Sequence, residues 1–216
     1  MTATTVSRPR NRRRTGRIVT AVVIVIVVIV MALSTKVVPK GSDLGAGPTA
    51  FSASAWGKTN FPKVQKAIAK KATPAATLAT AIAADQTAAA TKYGVDAGTG
   101  PEFATTFTGI VGAAQDGVSP VTVSGIPSDL VIRIQTGPAI NGTDLRDAPG
   151  TIEYGQFTNQ IDYQNAASAL NDQVKKQVLA KTDVGSLAGK TVTVTGAFQL
   201  VNPKGWLVTP SQLEVK

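Results

Sequence analysis

Three patterns of apolar and polar positions divide the chain. The first is an unbroken apolar run, Ile18 to Leu33, in which Thr20 is the polar residue and no charge appears. The second, Phe61 to Tyr93, has apolar residues at helical spacing. The third, from Phe103 onward, alternates with a period of two. A period near 3.6 marks a helix with one buried face, and a period of two marks a half-buried strand.

The apolar run predicts a membrane span over residues 18–35. As a helix it would rise ~27 Å, close to the ~30 Å hydrocarbon core. Eleven of its residues are Val or Ile. Insertion then gains on the order of 5 kcal/mol. In water these β-branched residues favour strand, but in lipid only a helix satisfies its own backbone. The competing reading is a cleaved signal peptide, which ends at small residues in an Ala-x-Ala-like pattern. Val30-Met31-Ala32-Leu33-Ser34 matches that pattern poorly. Residues 36–50 carry Gly, Pro, Ser and Lys without apolar period, and read as a linker.

Residues 51–95 read as a helical segment. Asn60 is the expected cap of a first helix, with Pro62 in its first turn and Val64 and Ile68 on its apolar face. Thr73-Pro74 reads as the start of a second helix, with Leu78, Ile82 and Ala89 as a narrow stripe and Gly94 as its stop. Both faces are thin, so both helices are expected to pack on something larger.

Residues 96–216 read as a β-domain. Phe103, Thr105, Phe107, Gly109 and Val111 share one side of a first strand. Val121 and Val123 mark a second, and Leu130, Ile132 and Ile134 a third, with Arg133 facing away. Asp116-Gly117 and Pro127-Ser128-Asp129 are the turns between them. A polar loop, Gly137 to Gly150, leads to a long helix over about Thr158 to Ala180. Thr158 is its expected cap, and Ile161, Ala167, Leu170, Val174 and Val178 its apolar face. Thr191 to Leu200 and Trp206 to Val215 form a hairpin around Asn202-Pro203-Lys204-Gly205. Three strands, one long helix, then two strands is the order of an OB-like five-stranded, partly open barrel. The expected fold class is therefore α+β: an N-terminal transmembrane helix, a helical segment and this barrel. Folds of this kind hold oligosaccharides and oligonucleotides, which is analogy and not a functional assignment.

Charge changes the picture chiefly at the N-terminus. Arg8, Arg10, Arg12, Arg13, Arg14 and Arg17 supply six of the net nine positive charges, and residues 1–17 hold no acid. An Arg-rich flank before an apolar run stays in the cytoplasm. The expected topology is single-pass in the cell membrane, with a cytoplasmic tail over 1–17 and an extracytoplasmic C-terminal domain. The rest of the chain is nearly balanced, so no nucleic-acid partner is expected. Lys58 to Lys71 form a basic cluster that reads more simply as a solvated helix face than as a headgroup contact.

Composition then removes most catalysis. The chain has no histidine and no cysteine. That excludes Ser-His-Asp triads, thiol nucleophiles, thiolate metal sites and disulfides. The acids are few and scattered, and no cofactor, metal site or catalytic constellation is expected. Gly185 to Thr191 superficially resembles a phosphate loop, but it is one residue short and lies between a helix and a strand in the wrong order. Asn141-Gly142-Thr143 fits a glycosylation acceptor, a pattern common by chance.

The candidate ligand-binding residues are Asn141, Thr143, Asp144, Arg146 and Asp147 in the polar loop, with Asn159 and Gln160 at the start of the long helix. Planar donors beside acceptors suit sugar hydroxyls or a carboxylate. The structural alternative is a loop stapled by its own Arg–Asp pairs and Asx-turns, with the amides closing the helix end. A calcium loop is a further alternative on oxygen count, but the spacing does not fit the EF-hand pattern.

Several strings resemble a known family. They are Gly137-Pro138 through Gly142-Thr143-x-Leu145-Arg146-Asp147, Phe157-Thr158-Asn159-Gln160-Ile161 and Ala169-Leu170-Asn171. With Trp56, Lys92-Tyr93-Gly94 and Thr209-Pro210 in order, they look like the domain of unknown function 2291, a predicted periplasmic lipoprotein. The resemblance covers about Phe51 to Val215. It implies an extracytoplasmic domain encoded beside sugar ABC transporters, with no activity assigned. This chain lacks the lipid-carrying cysteine, so the transmembrane segment stands in its place. The expectation is a non-enzymatic accessory that contacts sugar ABC transporter subunits or a sugar-binding protein. The alternatives are direct binding of a small sugar or oligosaccharide, and an envelope structural protein.

Overall fold

The computed structural model describes residues 12–34 and 51–216; within the first stretch, side chains are described at 20–31 and 33. The expected tail and the 36–50 linker fall mainly outside the described residues. The first stretch is a helix, α1 (Arg12–Ser34), whose apolar side chains from Val22 to Met31 are exposed. Among the described residues no helix is long and apolar enough to cross a membrane; position 35 and the side chains at 18, 19, 32 and 34 of the expected span lie outside them.

Phe51–Lys216 form one compact unit. Its elements are α2 (Ala53–Lys71), β1 (Thr73–Pro74), α3 (Ala75–Ala84), α4 (Gln86–Tyr93), β2 (Gly94–Asp96), β3 (Pro101–Val111), β4 (Val118–Val123), β5 (Val131–Gln135), α5 (Asp144–Asp147), α6 (Gln160–Gln173), β6 (Thr191–Gln199) and β7 (Gly205–Val215). Strands β3, β4, β5, β7 and β6 pair in that order, with β5 and β7 parallel and the other neighbours antiparallel. β6 then pairs back with β3 along Glu102↔Gln199 to Ile110↔Thr191. The OB-like barrel is therefore closed rather than partly open. Closure leaves these five strands no free edge along that seam.

The alternation of β3 holds, since Phe103, Phe107 and Val111 face the barrel interior. Phe103 stacks on Phe198 at 5.6 Å and Phe198 on Trp206 at 4.5 Å between centroids. Leu78 and Ile82 of α3 and Ala89 of α4 join the same core. At the first turn, Asp116 and Gly117 both have positive φ, 51° and 79°. That is the pair of left-handed residues a tight hairpin requires.

A second core lies on the outer face of β3 and β6. Phe61, Val64 and Ile68 of α2 and Leu170 of α6 cover Ala104 and Ala197, which are cross-strand partners. Alanines at both positions let the helices approach the sheet. Helix–helix approach depends likewise on Gly57, where a Cβ would lie 2.8 Å from the Ala169 Cβ. Gly57→Val is expected to cost about 1–3 kcal/mol through overpacking, measured as a lower thermal midpoint.

Five local expectations are corrected. α2 starts at Ala53 with Ser52 as cap, not at Asn60; Asn60 lies inside it and donates to the Trp56 carbonyl at 2.9 Å. Burial of Phe61, Val64 and Ile68 outweighs the hydrogen bond that Pro62 removes from the helix interior. Thr73-Pro74 is a short strand parallel to β3, because Thr105 Oγ1 donates to the Thr73 carbonyl at 3.1 Å. α6 begins one residue later than expected, with Asn159 as its cap, and Ile161 is 68% exposed rather than core. Its regular part stops at Gln173, where a wide turn, Val174–Val178, keeps Val174, Val178 and Leu179 together in the second core.

Candidate functional site

The polar loop folds back onto the end of β5. Gln135, buried there, donates from Nε2 to the Asn141 carbonyl and to Thr209 Oγ1, both at 2.8 Å. Its Oε1 accepts the Asn141 N–H at 2.9 Å. Thr209 Oγ1 in turn donates to Asp144 Oδ2. Asn171 of α6 donates to the Gly142 carbonyl at 2.9 Å. Ile140 and Leu145 are buried in the second core. The loop is therefore fixed at both its polar and its apolar positions.

The single helical turn α5 brings Asp144, Arg146 and Asp147 together. Arg146 grips Asp147 with two parallel donors, Nε to Oδ1 at 2.7 Å and Nη2 to Oδ2 at 3.0 Å. Its Nη1 donates to the Tyr163 carbonyl at 3.2 Å. The guanidinium lies over the Tyr163 ring, 3.7 Å from the centroid, and the Tyr163 hydroxyl donates to Asp147 Oδ1 at 3.3 Å. Arg146 and Asp147 are each 8% exposed. This is the bidentate, stacked geometry that suits Arg rather than Lys.

The other expected residues take different parts. Asn141 contributes backbone groups and its side chain is exposed. Thr143 precedes α5 without a side-chain capping bond. Asn159 is spent on capping α6, accepting the Asp162 N–H at 2.9 Å and donating to the Asp162 carboxylate at 3.0 Å. Gln160 is exposed in the first turn. The structure thus unites Asp144, Arg146 and Asp147, and leaves Asn159 and Gln160 at the helix end.

Glu102 completes the group. It is 1% exposed on the outward side of β3, and neither carboxyl oxygen has a hydrogen-bond partner. Burial pushes its carboxyl up to about 8, Asp144 and Asp147 push the same way, and Arg146 opposes them. At neutral pH Glu102 therefore holds its proton. Asp144 is pushed up to about 6, chiefly by burial and against the Thr209 hydrogen bond. Burial and Asp147 raise the Tyr163 hydroxyl. Asp147 thus pairs with the guanidinium, while Asp144 and Glu102 act on the same group through charge and burial. Among the described residues no His, Cys, Asp or Glu group is arranged to hold a metal ion.

Open space lies elsewhere. A groove of about 560 Å³ runs between Thr136-Gly137-Pro138 and the segment from Lys175 to Val184. A second, of about 510 Å³, lies between Lys181, Lys190 and the end of β7. Glu102, Tyr163, Gln135 and Thr209 are the members that sequence reasoning missed. Glu102 sits where strand alternation predicts a solvent-facing side chain, and no spacing links it to the loop.

Comparison with known proteins bears on the family and the fold. A family model described as a predicted periplasmic lipoprotein, DUF2291, matches residues 24–214. No curated protein matches the chain significantly. Among solved structures, an OB-fold protein from Thermotoga maritima superposes with a TM-score of 0.64 and 18% identity, over 78% of this chain and 100% of that one. Likeness at that identity establishes the barrel fold.

Proposed function

The chain belongs to the DUF2291 family of predicted periplasmic lipoproteins, and on that footing we propose that it is an extracytoplasmic, non-enzymatic domain, held at the membrane by its N-terminal apolar run, that assists a sugar ABC transporter. Its contact would be a transporter subunit or a sugar-binding protein. The observation that carries the non-enzymatic part is the engagement of Arg146. Its donors serve Asp147 and the Tyr163 carbonyl, and its flat face lies on a ring. A group so occupied is a staple, with little left for a substrate. The acids nearest it are buried, and histidine and cysteine are absent from the sequence. These features support a role without general acid–base or nucleophilic work.

The Arg-rich flank and apolar run support the anchor in a chain without a lipid-carrying cysteine. The sugar part rests on the family resemblance. A second reading, direct sugar binding, is favoured by one feature, the groove beside Thr136-Gly137-Pro138 with Lys175, Thr182 and Asp183 on its rim.

Melting of the full-length protein against a broad sugar panel separates the two. The accessory role predicts no change in thermal midpoint. Direct binding predicts about 2.7 kcal/mol of added stability at ~100 times Kd, or roughly 5–10 °C.

A further inference from the structure

We propose that a cluster of five rings at the N-terminal edge of the compact unit, Phe51, Trp56, Tyr154, Phe157 and Tyr163, seats the domain on the headgroup region of the bilayer. The chain has two Trp, three Tyr and six Phe, so nearly half its aromatics gather at this place. The rings are contiguous. Phe51 lies 5.4 Å from Phe157, Trp56 5.6 Å from Phe157, Phe157 5.4 Å from Tyr163 and Tyr154 5.7 Å from Tyr163. They are not core. Phe61, Phe103, Phe198 and Trp206 are fully buried, whereas Phe51, Trp56, Phe157 and Tyr163 are partly buried and Tyr154 is 54% exposed. The surface is also stiff. Ser52 caps the helix that carries Trp56, and Arg146 stacks beneath Tyr163.

Two observations commit the surface to lipid. The first is its place in the chain. Phe51 opens the compact unit and is itself a member of the cluster. The apolar run ends about 18 residues earlier, a stretch that spans at most ~60 Å. The second is its chemistry. Trp and Tyr carry an apolar body and a polar tip, and both concentrate at membrane–water interfaces. A sugar platform needs an open flat face, but these rings turn towards one another at 53° to 85°. Ring edges suffice for insertion among headgroups. Exposed Lys58 and Lys63 on α2 add attraction to anionic lipid, while exposed Glu153 opposes it. The inference rests on the membrane anchor of the proposed function and not on its sugar role.

The test uses the full chain in vesicles of phosphatidylcholine and phosphatidylglycerol. Trp206→Phe leaves Trp56 as the sole indole. That change suits the barrel, because the buried Trp206 Nε1 has no hydrogen-bond partner. The expected result is flotation with the vesicles, quenching of Trp56 by lipids brominated near the headgroup, and protection from aqueous acrylamide. Tyr154→Ser should remove most of that lipid quenching without moving the melting temperature. Flotation with Trp56 unquenched by lipid and open to acrylamide overturns the inference and leaves the anchor standing. Failure to float overturns both. If Trp206→Phe does not fold, the same quenching contrast between the native chain and Tyr154→Ser decides the matter, since buried Trp206 adds a constant background.

Discussion

Arg146→Ala is expected to lower the stability of the domain by about 3–5 kcal/mol, the cost of removing one partner from a buried ion pair. At roughly 2–4 °C per kcal/mol for a domain of this size, the thermal midpoint should fall by about 6–20 °C. The reason lies in what remains. Without the guanidinium, Asp147 keeps one long bond from the Tyr163 hydroxyl and faces Glu102 and Asp144 in a closed interior. An unpaired carboxylate there draws in water, which loosens α5. Arg146→Lys should recover part of the loss, since it restores charge without the two-pronged grip or the stacking. Circular dichroism melts of the three proteins measure this. A variant that keeps the native midpoint would contradict the staple and revive Arg146 as a ligand contact.

Glu102 gives the second large effect, with the opposite sign. A carboxyl at about 8 in the fold and 4.5 when exposed binds more proton folded than unfolded across that interval. Stability therefore falls as pH rises through it and levels off above about 8. Asp144, at about 6 against 3.8, adds a decline at lower pH. The domain should melt highest at mildly acidic pH and lose stability towards pH 8. Glu102→Gln keeps the shape and removes the charge. It should raise stability at pH 8 by on the order of 1–3 kcal/mol and flatten the curve between pH 6 and 8. Parallel curves for the two proteins would show that Glu102 is not the source.

Much of the barrel was legible before any coordinates. Strand alternation put Phe103, Phe107 and Val111 inside, Asp116-Gly117 marked a hairpin, and Asn202 to Gly205 marked the last one. These signals are local, so they survive without knowledge of the partner elements. The errors come where tertiary packing overrides local preference. α2 starts before Asn60, which reads as its cap, and carries Pro62 in its interior rather than its first turn, because Phe61, Val64 and Ile68 are buried against the sheet. Ile161 reads as core from its spacing, yet of that expected face Ala167, Leu170, Val174 and Val178 are buried while Ile161, in the first turn of α6, is exposed. At the site, the Arg–Asp staple could be read within the loop itself. Glu102, Gln135 and Thr209 could not, since three different strands bring them there.

The central claim is that this domain acts through a transporter component and not by binding sugar itself. The most direct measurement is purification of the tagged full-length protein from its own membranes in mild detergent, with mass spectrometry of what accompanies it. The account predicts enrichment of sugar ABC transporter subunits or a sugar-binding protein. A protein that purifies alone, yet melts higher with a saturating sugar, would contradict it.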